Sequence, residues 1–150
     1  MADGIVIEQA GSASDYDAAA WIYTNNDPWK ALGRGYEHNL KKVTHDDTVL
    51  FVARMDDRVV GALLLEEFGQ LAPYVRALCV DEGFRNRRIG EKLIDAALER
   101  AYQEHDCMFL TTSTEDALRF YKRLGFEEIG VITDMHAPGN DEHLLRIRRS

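Results

Sequence analysis

No apolar run in this 150-residue chain approaches the roughly 20 residues that a helix needs to cross a bilayer, so no membrane-spanning segment is expected. The opening Met1-Ala2-Asp3-Gly4 lacks the basic-then-apolar layout of a signal peptide, and a soluble, cytoplasmic protein is the expectation. Cysteine is scarce. Cys79 and Cys107 are the only two, both lie in apolar, strand-like stretches, and they show no paired metal-ligand spacing. Two reduced, buried thiols fit that setting; Cys79 as an acyl-carrying nucleophile is the alternative, though no histidine stands at an obvious partnering place. Positive charge is in deficit too. With 18 Lys and Arg against 26 Asp and Glu, a net charge of −8 argues against a nucleic-acid or anionic-membrane partner. The same sign suits a cationic partner such as an amine, and it also keeps a protein in solution. The histidines (His38, His45, His105, His136 and His143) are scattered, no His/Cys/carboxylate cluster has ligand spacing, and no catalytic metal is expected.

What is present reads as one α+β domain over residues 1–150, with 45% hydrophobic and 29% charged residues and no internal repeat or low-complexity linker. Ile5-Val6-Ile7 with Glu8 reads as a first strand and Tyr16–Tyr23 as a first helix. Asp27-Pro28-Trp29 is expected to open a second helix, because Asp caps free N–H groups and Pro fits the first turn. Strands follow near Val49–Arg54, Val59–Glu67 and Ala72–Asp81, with turns at Asp56-Asp57 and Gly69. From Ile89 the residues Leu93, Ile94, Ala97, Leu98 and Ala101 recur on one helical face, which predicts a helix packed on a sheet. A strand (Met108–Thr112), a helix (Glu115–Leu124) ended by Gly125, and strands Phe126–Val131 and Glu142–Ile147 complete the order.

The most informative stretch is Leu78-Cys79-Val80-Asp81-Glu82-Gly83-Phe84-Arg85-Asn86-Arg87-Arg88-Ile89-Gly90-Glu91-Lys92-Leu93. It reads as a strand, a short basic turn and the start of an amphipathic helix, a layout that turns unpaired backbone N–H groups toward an anion. About 30 residues on stands Ala117-Leu118-Arg119-Phe120-Tyr121-Lys122-Arg123-Leu124-Gly125-Phe126. The first stretch resembles the Gln/Arg-x-x-Gly-x-Gly/Ala cofactor motif of the GNAT superfamily of acyl-CoA N-acyltransferases, and the second is similar to its Ala-x-x-x-Tyr-x-x-x-Gly-Phe segment. The element order is also that of the GNAT fold, a mixed, mostly antiparallel central sheet flanked by helices, so the resemblance covers nearly the whole chain.

That resemblance implies an N-acetyltransferase moving an acetyl group from acetyl-CoA to a primary amine of a small molecule or peptide by direct attack. The pyrophosphate would rest on the turn formed by Arg85, Asn86, Arg87, Arg88, Ile89 and Gly90. Pantetheine would pair with the free backbone groups of Leu78, Cys79 and Val80, in a slot opened where that strand leaves Met108–Thr112. Thr114 stands where many family members carry an Asn that bonds the pantetheine. Tyr121 would protonate the departing thiolate, since a phenol is still a donor at neutral pH; an aromatic of the helix core is its other reading. The family's first motif glycine is replaced by Arg88, whose β-carbon narrows the approach to the phosphates while its guanidinium suits them. A non-catalytic acyl-CoA-binding or regulatory module is therefore the alternative function.

The acceptor wall implied by the resemblance takes in Asn25–Trp29, Tyr36 and Thr133–His136, with Trp29, Tyr74 and Asp134 as substrate candidates. Aromatic and acidic groups there would hold a cationic amine. Trp29 reads equally as the core anchor of its helix. No general base is singled out: the glutamates that serve other members align with Phe109 and Tyr74, leaving Glu66, Glu67, Tyr74, Asp134 and His136 as candidates. The last strand, Glu142–Ile147, is expected at a sheet edge, where it either pairs in a homodimer or is capped by Arg146, Arg148 and Arg149.

Overall fold

Runs rich in β-branched and large apolar residues favour strands, and the longest of them lie in the middle of this chain. A computed structural model describes residues 4–150; the opening Met1-Ala2-Asp3 lies outside them. The elements run β1 (Ile5–Gln9), α1 (Ala13–Thr24), α2 (Tyr36–Val43), β2 (Thr48–Met55), β3 (Arg58–Glu66), β4 (Tyr74–Val80), a 3₁₀ turn (Glu82–Phe84), α3 (Ile89–Ala101), β5 (Cys107–Thr112), α4 (Glu115–Arg123), β6 (Glu127–Ile132) and β7 (Glu142–Arg148). The strands form one seven-stranded sheet in the order β1-β2-β3-β4-β5-β7-β6. Every pairing is antiparallel except β4 with β5.

β3 shows how one sheet carries two apolar clusters. Its side chains alternate, so Leu63 and Leu65 enter the cluster under α3 and α4, whereas Ala62 and Leu64 enter the one under α1 and α2. All four are fully buried. Each large aliphatic side chain removed from water in this way contributes about 1.5–3 kcal/mol. Gly61 sets how closely α3 can lie on the sheet, since a β-carbon there would meet Ile89 Cγ2 and Leu93 Cδ1 at 3.3 Å.

Beyond shifts of one or two residues at several element ends, differences from expectation at α1, β4 and Asp27–Trp29 have a local cause. Helix α1 starts at Ala13, ahead of Tyr16, because Ser12 Oγ accepts the Asp15 N–H (3.3 Å) while Asp15 Oδ2 accepts the Gly11 N–H (3.0 Å), a reciprocal cap. β4 starts at Tyr74, after Pro73, which has no N–H for a ladder. Asp27-Pro28-Trp29 does not open a helix. Asp27 Oδ1 does accept the Ala31 N–H at 3.1 Å, but the segment continues as turns, Gly33 takes a left-handed φ of 71°, and α2 begins only at Tyr36. Two closely spaced glycines stop the helix before it can propagate.

The expected sheet edge is also corrected. β7 pairs with β5 on one side and β6 on the other, so β1 and β6 are the edges. Leu145 of β7 is fully buried, and an interior position is what buries it. Arg146 is held by Glu127 at 2.7 Å. Among the described residues no helix is long and apolar enough to cross a membrane.

Candidate active site

Pairing between β4 and β5 is confined to Tyr74 with Phe109 and Val75 with Leu110; beyond these the strands part. A bulge at Arg76 precedes the opening, since Leu65 faces Val75 while Leu64 faces Ala77. Tyr23 Oη donates to the Ala77 carbonyl there at 3.0 Å. Farther along, the Asp81 N–H is given to Val60 of β3 at 2.8 Å. By alternation the backbone groups of Leu78 and Val80 turn to the open side.

The result is a cleft of about 950 Å³. Leu78, Cys79 and Val80 form one wall, Arg85, Asn86, Arg88, Ile89 and Gly90 the mouth, and Thr114, Phe120 and Tyr121 the other wall. Two sequence motifs far apart in the chain thus meet across one space. Of the expected cofactor residues, Arg87 does not line it. Its guanidinium lies over the Phe84 ring (5.7 Å to the centroid) with Nη1 3.6 Å from Met55 Sδ, turned from the cleft.

At the mouth, Arg88 is the N-cap of α3 and takes φ 60°, ψ 19° with no side-chain cap bond. A left-handed backbone explains the glycine expected here: its role is conformational, and arginine bears a strain of about 1–2 kcal/mol. The first-turn N–H groups of α3, at Ile89, Gly90 and Glu91, have no intrahelical carbonyl to bond. Arg85 is committed to the turn itself, with Nε on the Val80 carbonyl at 3.0 Å and Nη2 on Asn26 Oδ1 at 2.9 Å. Asn26 is buried and also donates to Ile22 O and Asp81 Oδ1, tying the end of α1 to the mouth.

Tyr121 is buried, its ring edge-on to Phe120 and Phe126. Its hydroxyl has no hydrogen-bond partner among the described residues, and burial, then Cys79 and Tyr74, push its pKa well up, so it stays protonated. The ring is packed in the core, and the residue also lines the cleft. Burial pushes the Cys79 thiol up to about 12, which leaves almost no thiolate at neutral pH. Thr114 caps α4 by accepting the Ala117 N–H at 3.2 Å, which leaves its own hydroxyl proton to give.

The acceptor candidates do not gather in this cleft. Asp134 sits in the β6–β7 loop at φ 53°, with Oδ1 accepting the Gly139 N–H at 2.6 Å, so its carboxylate shapes its own loop. His136 is exposed in the same loop. Trp29 packs edge-on against Tyr23 at 4.7 Å in the cluster under α1 and α2, the anchoring arrangement. Tyr36 donates to Asp17 and stacks on Trp21 at 4.6 Å. Glu67 is held in a two-pronged bond by Arg100 (2.8 and 3.0 Å), and Glu66 accepts from Arg76 at 3.1 Å. Arg34 and Arg76 lie near enough to Lys42 to act on it. Lys42 is pushed down to about 8 by burial, then by Arg76 and Arg34. Tyr74 remains, at the vertex where β4 and β5 part, with its hydroxyl 2.8 Å from Thr111 Oγ1. Thr111 and its neighbour Glu142 were missed, because no sequence spacing links residues on three different strands.

The sequence matches the family described as the acetyltransferase (GNAT) domain over residues 46–128. The chain belongs to the GNAT acetyltransferase family. It is 30% identical over 114 residues to an N-alpha-acetyltransferase of Sulfurisphaera tokodaii, covering 66% of this chain and 68% of that protein. It is 31% identical over 141 residues to an uncharacterised protein of Mycobacterium leprae, where 89% of this chain matches only 38% of the relative's length. An aminoglycoside 6′-N-acetyltransferase solved with coenzyme A has the same fold, with a TM-score of 0.81 at 14% identity over 95% of this chain and 96% of that one.

For a GNAT acetyltransferase, the group to be tested against the cleft is acetyl-CoA. The residues present fit it. The open backbone groups of Leu78 and the Val80 N–H suit the amides of the pantetheine arm, the Val80 carbonyl being engaged by Arg85, and the free first-turn N–H groups of α3 suit a pyrophosphate. Arg85, Arg87 and Arg88 pair with no carboxylate among the described residues, although the chain as a whole is acidic. Glu91, also on the wall, is the one first-turn acid there and opposes an incoming phosphate.

Proposed function

We propose that this protein is an acetyl-CoA-dependent N-acetyltransferase that passes the acetyl group directly to a primary amine of a small molecule or peptide. The observation that carries the reading is the Tyr121 hydroxyl, protonated and without a partner, on the wall of a cleft whose opposite wall is the open backbone edge of β4. Acetyl-CoA supplies the acetyl group as an activated thioester. Leu78, Val80 and the first turn of α3 bind and orient the donor, and the outward N–H of Leu78 is a donor for a carbonyl oxygen that gains charge. Tyr121 gives its proton from Oη to the leaving sulfur. Direct transfer is preferred over a covalent route because Cys79 is a poor thiolate.

Isothermal titration with acetyl-CoA, followed by a thiol-release assay over a panel of amines and peptides, tests this reading. Saturable binding with release of thiol on an amine supports it. Binding with no turnover on any amine would instead favour an acyl-CoA-binding module.

A further inference from the structure

We propose that Tyr74, Thr111 and Glu142 form a directed proton relay, in which Tyr74 takes the proton of the acceptor ammonium and Glu142 receives the relayed charge. The inference rests on the acetyltransferase reading and supplies the base that the sequence left open. It begins with three side chains on three strands. Tyr74 Oη lies 2.8 Å from Thr111 Oγ1, and Thr111 Oγ1 lies 3.3 Å from Glu142 Oε1.

The direction of the chain follows from the inventory of protons. Thr111 Oγ1 donates to Glu142 Oε1, and a hydroxyl has a single proton to give. Thr111 Oγ1 must then accept from Tyr74. The phenol oxygen of Tyr74 thereby keeps a lone pair for a donor outside the protein. Glu142 is 8% exposed, and Thr111 is its side chain's hydrogen-bond partner among the described residues. The Thr111 hydroxyl is thus the one protein group through which a proton can reach this carboxylate along the row from Tyr74.

The side of the sheet also fits. Met108 and Leu110 of β5 and Leu145 of β7 belong to the cluster under α3 and α4, so alternation puts Thr111 and Glu142 on the other face. Tyr74 pairs across from Glu66 while Val75, its neighbour, enters that same α3/α4 cluster, so Tyr74 shares the face of Thr111. The donor's cleft and this relay therefore approach the vertex of β4 and β5 from opposite sides. Tyr74 is near enough to Tyr121 to help hold the Tyr121 hydroxyl protonated, after burial and Cys79. The charged groups that act on Tyr74 besides Glu142 are Arg76 and Glu66, which pair with each other and partly cancel.

The transfer balances. The ammonium gives a proton to Tyr74 Oη as the Tyr74 proton passes to Thr111 Oγ1 and the Thr111 proton to Glu142. The amine's freed electron pair forms the C–N bond, the C–S bond breaks, and the sulfur takes the proton of Tyr121. Glu142 later returns its proton, and Tyr121 regains one, through solvent. Tyr74 touches the substrate; Thr111 and Glu142 act through it.

Two measurements test the relay. Neutron diffraction of the deuterated protein without substrates should find a deuteron on Tyr74 Oη pointing to Thr111 and one on Thr111 Oγ1 pointing to Glu142; a Thr111 deuteron directed at Tyr74 would overturn the proposal. In kinetics with an amine found by the panel, Thr111→Val and Glu142→Gln should each lower kcat near neutral pH by on the order of 10²-fold, recovering as pH rises and hydroxide takes over as base. Thr111→Ser, which keeps the hydroxyl, should restore most of kcat, and acetyl-CoA affinity should stay within about twofold throughout. Wild-type kcat and pH profile in a folded Thr111→Val protein would sink the relay while leaving the acetyltransferase reading standing. Absence of acetyl-CoA binding, or of turnover on every amine, would sink that reading and the relay with it.

Discussion

Gly90, in the first turn of α3, faces Phe120 of α4 so closely that a β-carbon on Gly90 would lie 3.3 Å from Phe120 Cζ. Phe120 in turn meets Tyr121 edge-on at 5.1 Å. The glycine of the basic turn thus controls how the tyrosine helix docks. Gly90→Val should displace Phe120, lower the melting temperature and weaken acetyl-CoA binding by about tenfold or more, since a branched side chain needs more room than the contact leaves. Gly90→Ala, needing only a few tenths of an ångström, should have a smaller effect. Calorimetric titration and thermal melts check this, and unchanged binding in a folded Gly90→Val protein would refute the coupling.

Tyr121→Phe keeps the packed ring and removes only the hydroxyl. If Oη protonates the leaving sulfur, turnover should fall by on the order of 10²-fold with little change in acetyl-CoA affinity. Because burial holds the Tyr121 pKa well above the usual phenol range, the wild-type rate should show no alkaline decline from this group up to about pH 10. Full activity in the variant would leave water or another donor as the acid.

Cys79 should be kinetically silent. With its thiol at about 12, iodoacetamide at pH 8 should not label it in the folded protein, whereas denaturation should expose it. Cys79→Ala should keep turnover within a few-fold, and initial-rate plots should intersect as for a ternary complex. Parallel lines, with loss of activity in the alanine variant, would restore the covalent route.

Arg88 carries a left-handed backbone that glycine adopts without strain. Arg88→Gly should therefore raise stability by about 1 kcal/mol and the melting temperature by a few degrees. Acetyl-CoA affinity should not weaken by more than a few-fold, because the first-turn N–H groups are untouched. A lower melting temperature would show that the guanidinium has a structural role.

Asp15 couples stability to pH. The Gly11 N–H, followed by Arg54 at 2.8 Å, holds its carboxyl below the usual range despite burial. A lowered native pKa means that stability is fully present above the unfolded value of about 4 and is lost as pH falls through the native one. Asp15→Asn should therefore cost about 1–3 kcal/mol at pH 7, with the difference from wild type shrinking toward pH 2. Denaturant titrations at several pH values measure it, and a difference independent of pH would disprove the linkage.

Much of the fold was legible in the sequence because period-2 and period-3.6 patterns are local. The helix from Ile89 to Ala101 and the stop at Gly125 (φ 106°) stand where the pattern puts them. The second helix was misplaced because Asp27 does accept a helix-like N–H bond, and only the glycines at 33 and 35 decide that no helix follows. The cleft was expected only through the family resemblance, which two contiguous motifs carry, Leu78–Gly90 and Ala117–Phe126; by themselves those residues read as an apolar strand, a basic turn and a helix.

Local chemistry along the chain thus determined the strand–turn–helix at the mouth, the capping of α4 at Thr114 and the alternation that gives the sheet two faces. Tertiary structure alone decided that β7 slips between β5 and β6, and so that Glu142 comes to lie beside Thr111, with Tyr74 completing the row. Strand order and register depend on which apolar faces bury best together, a property of the whole sheet that no single segment carries.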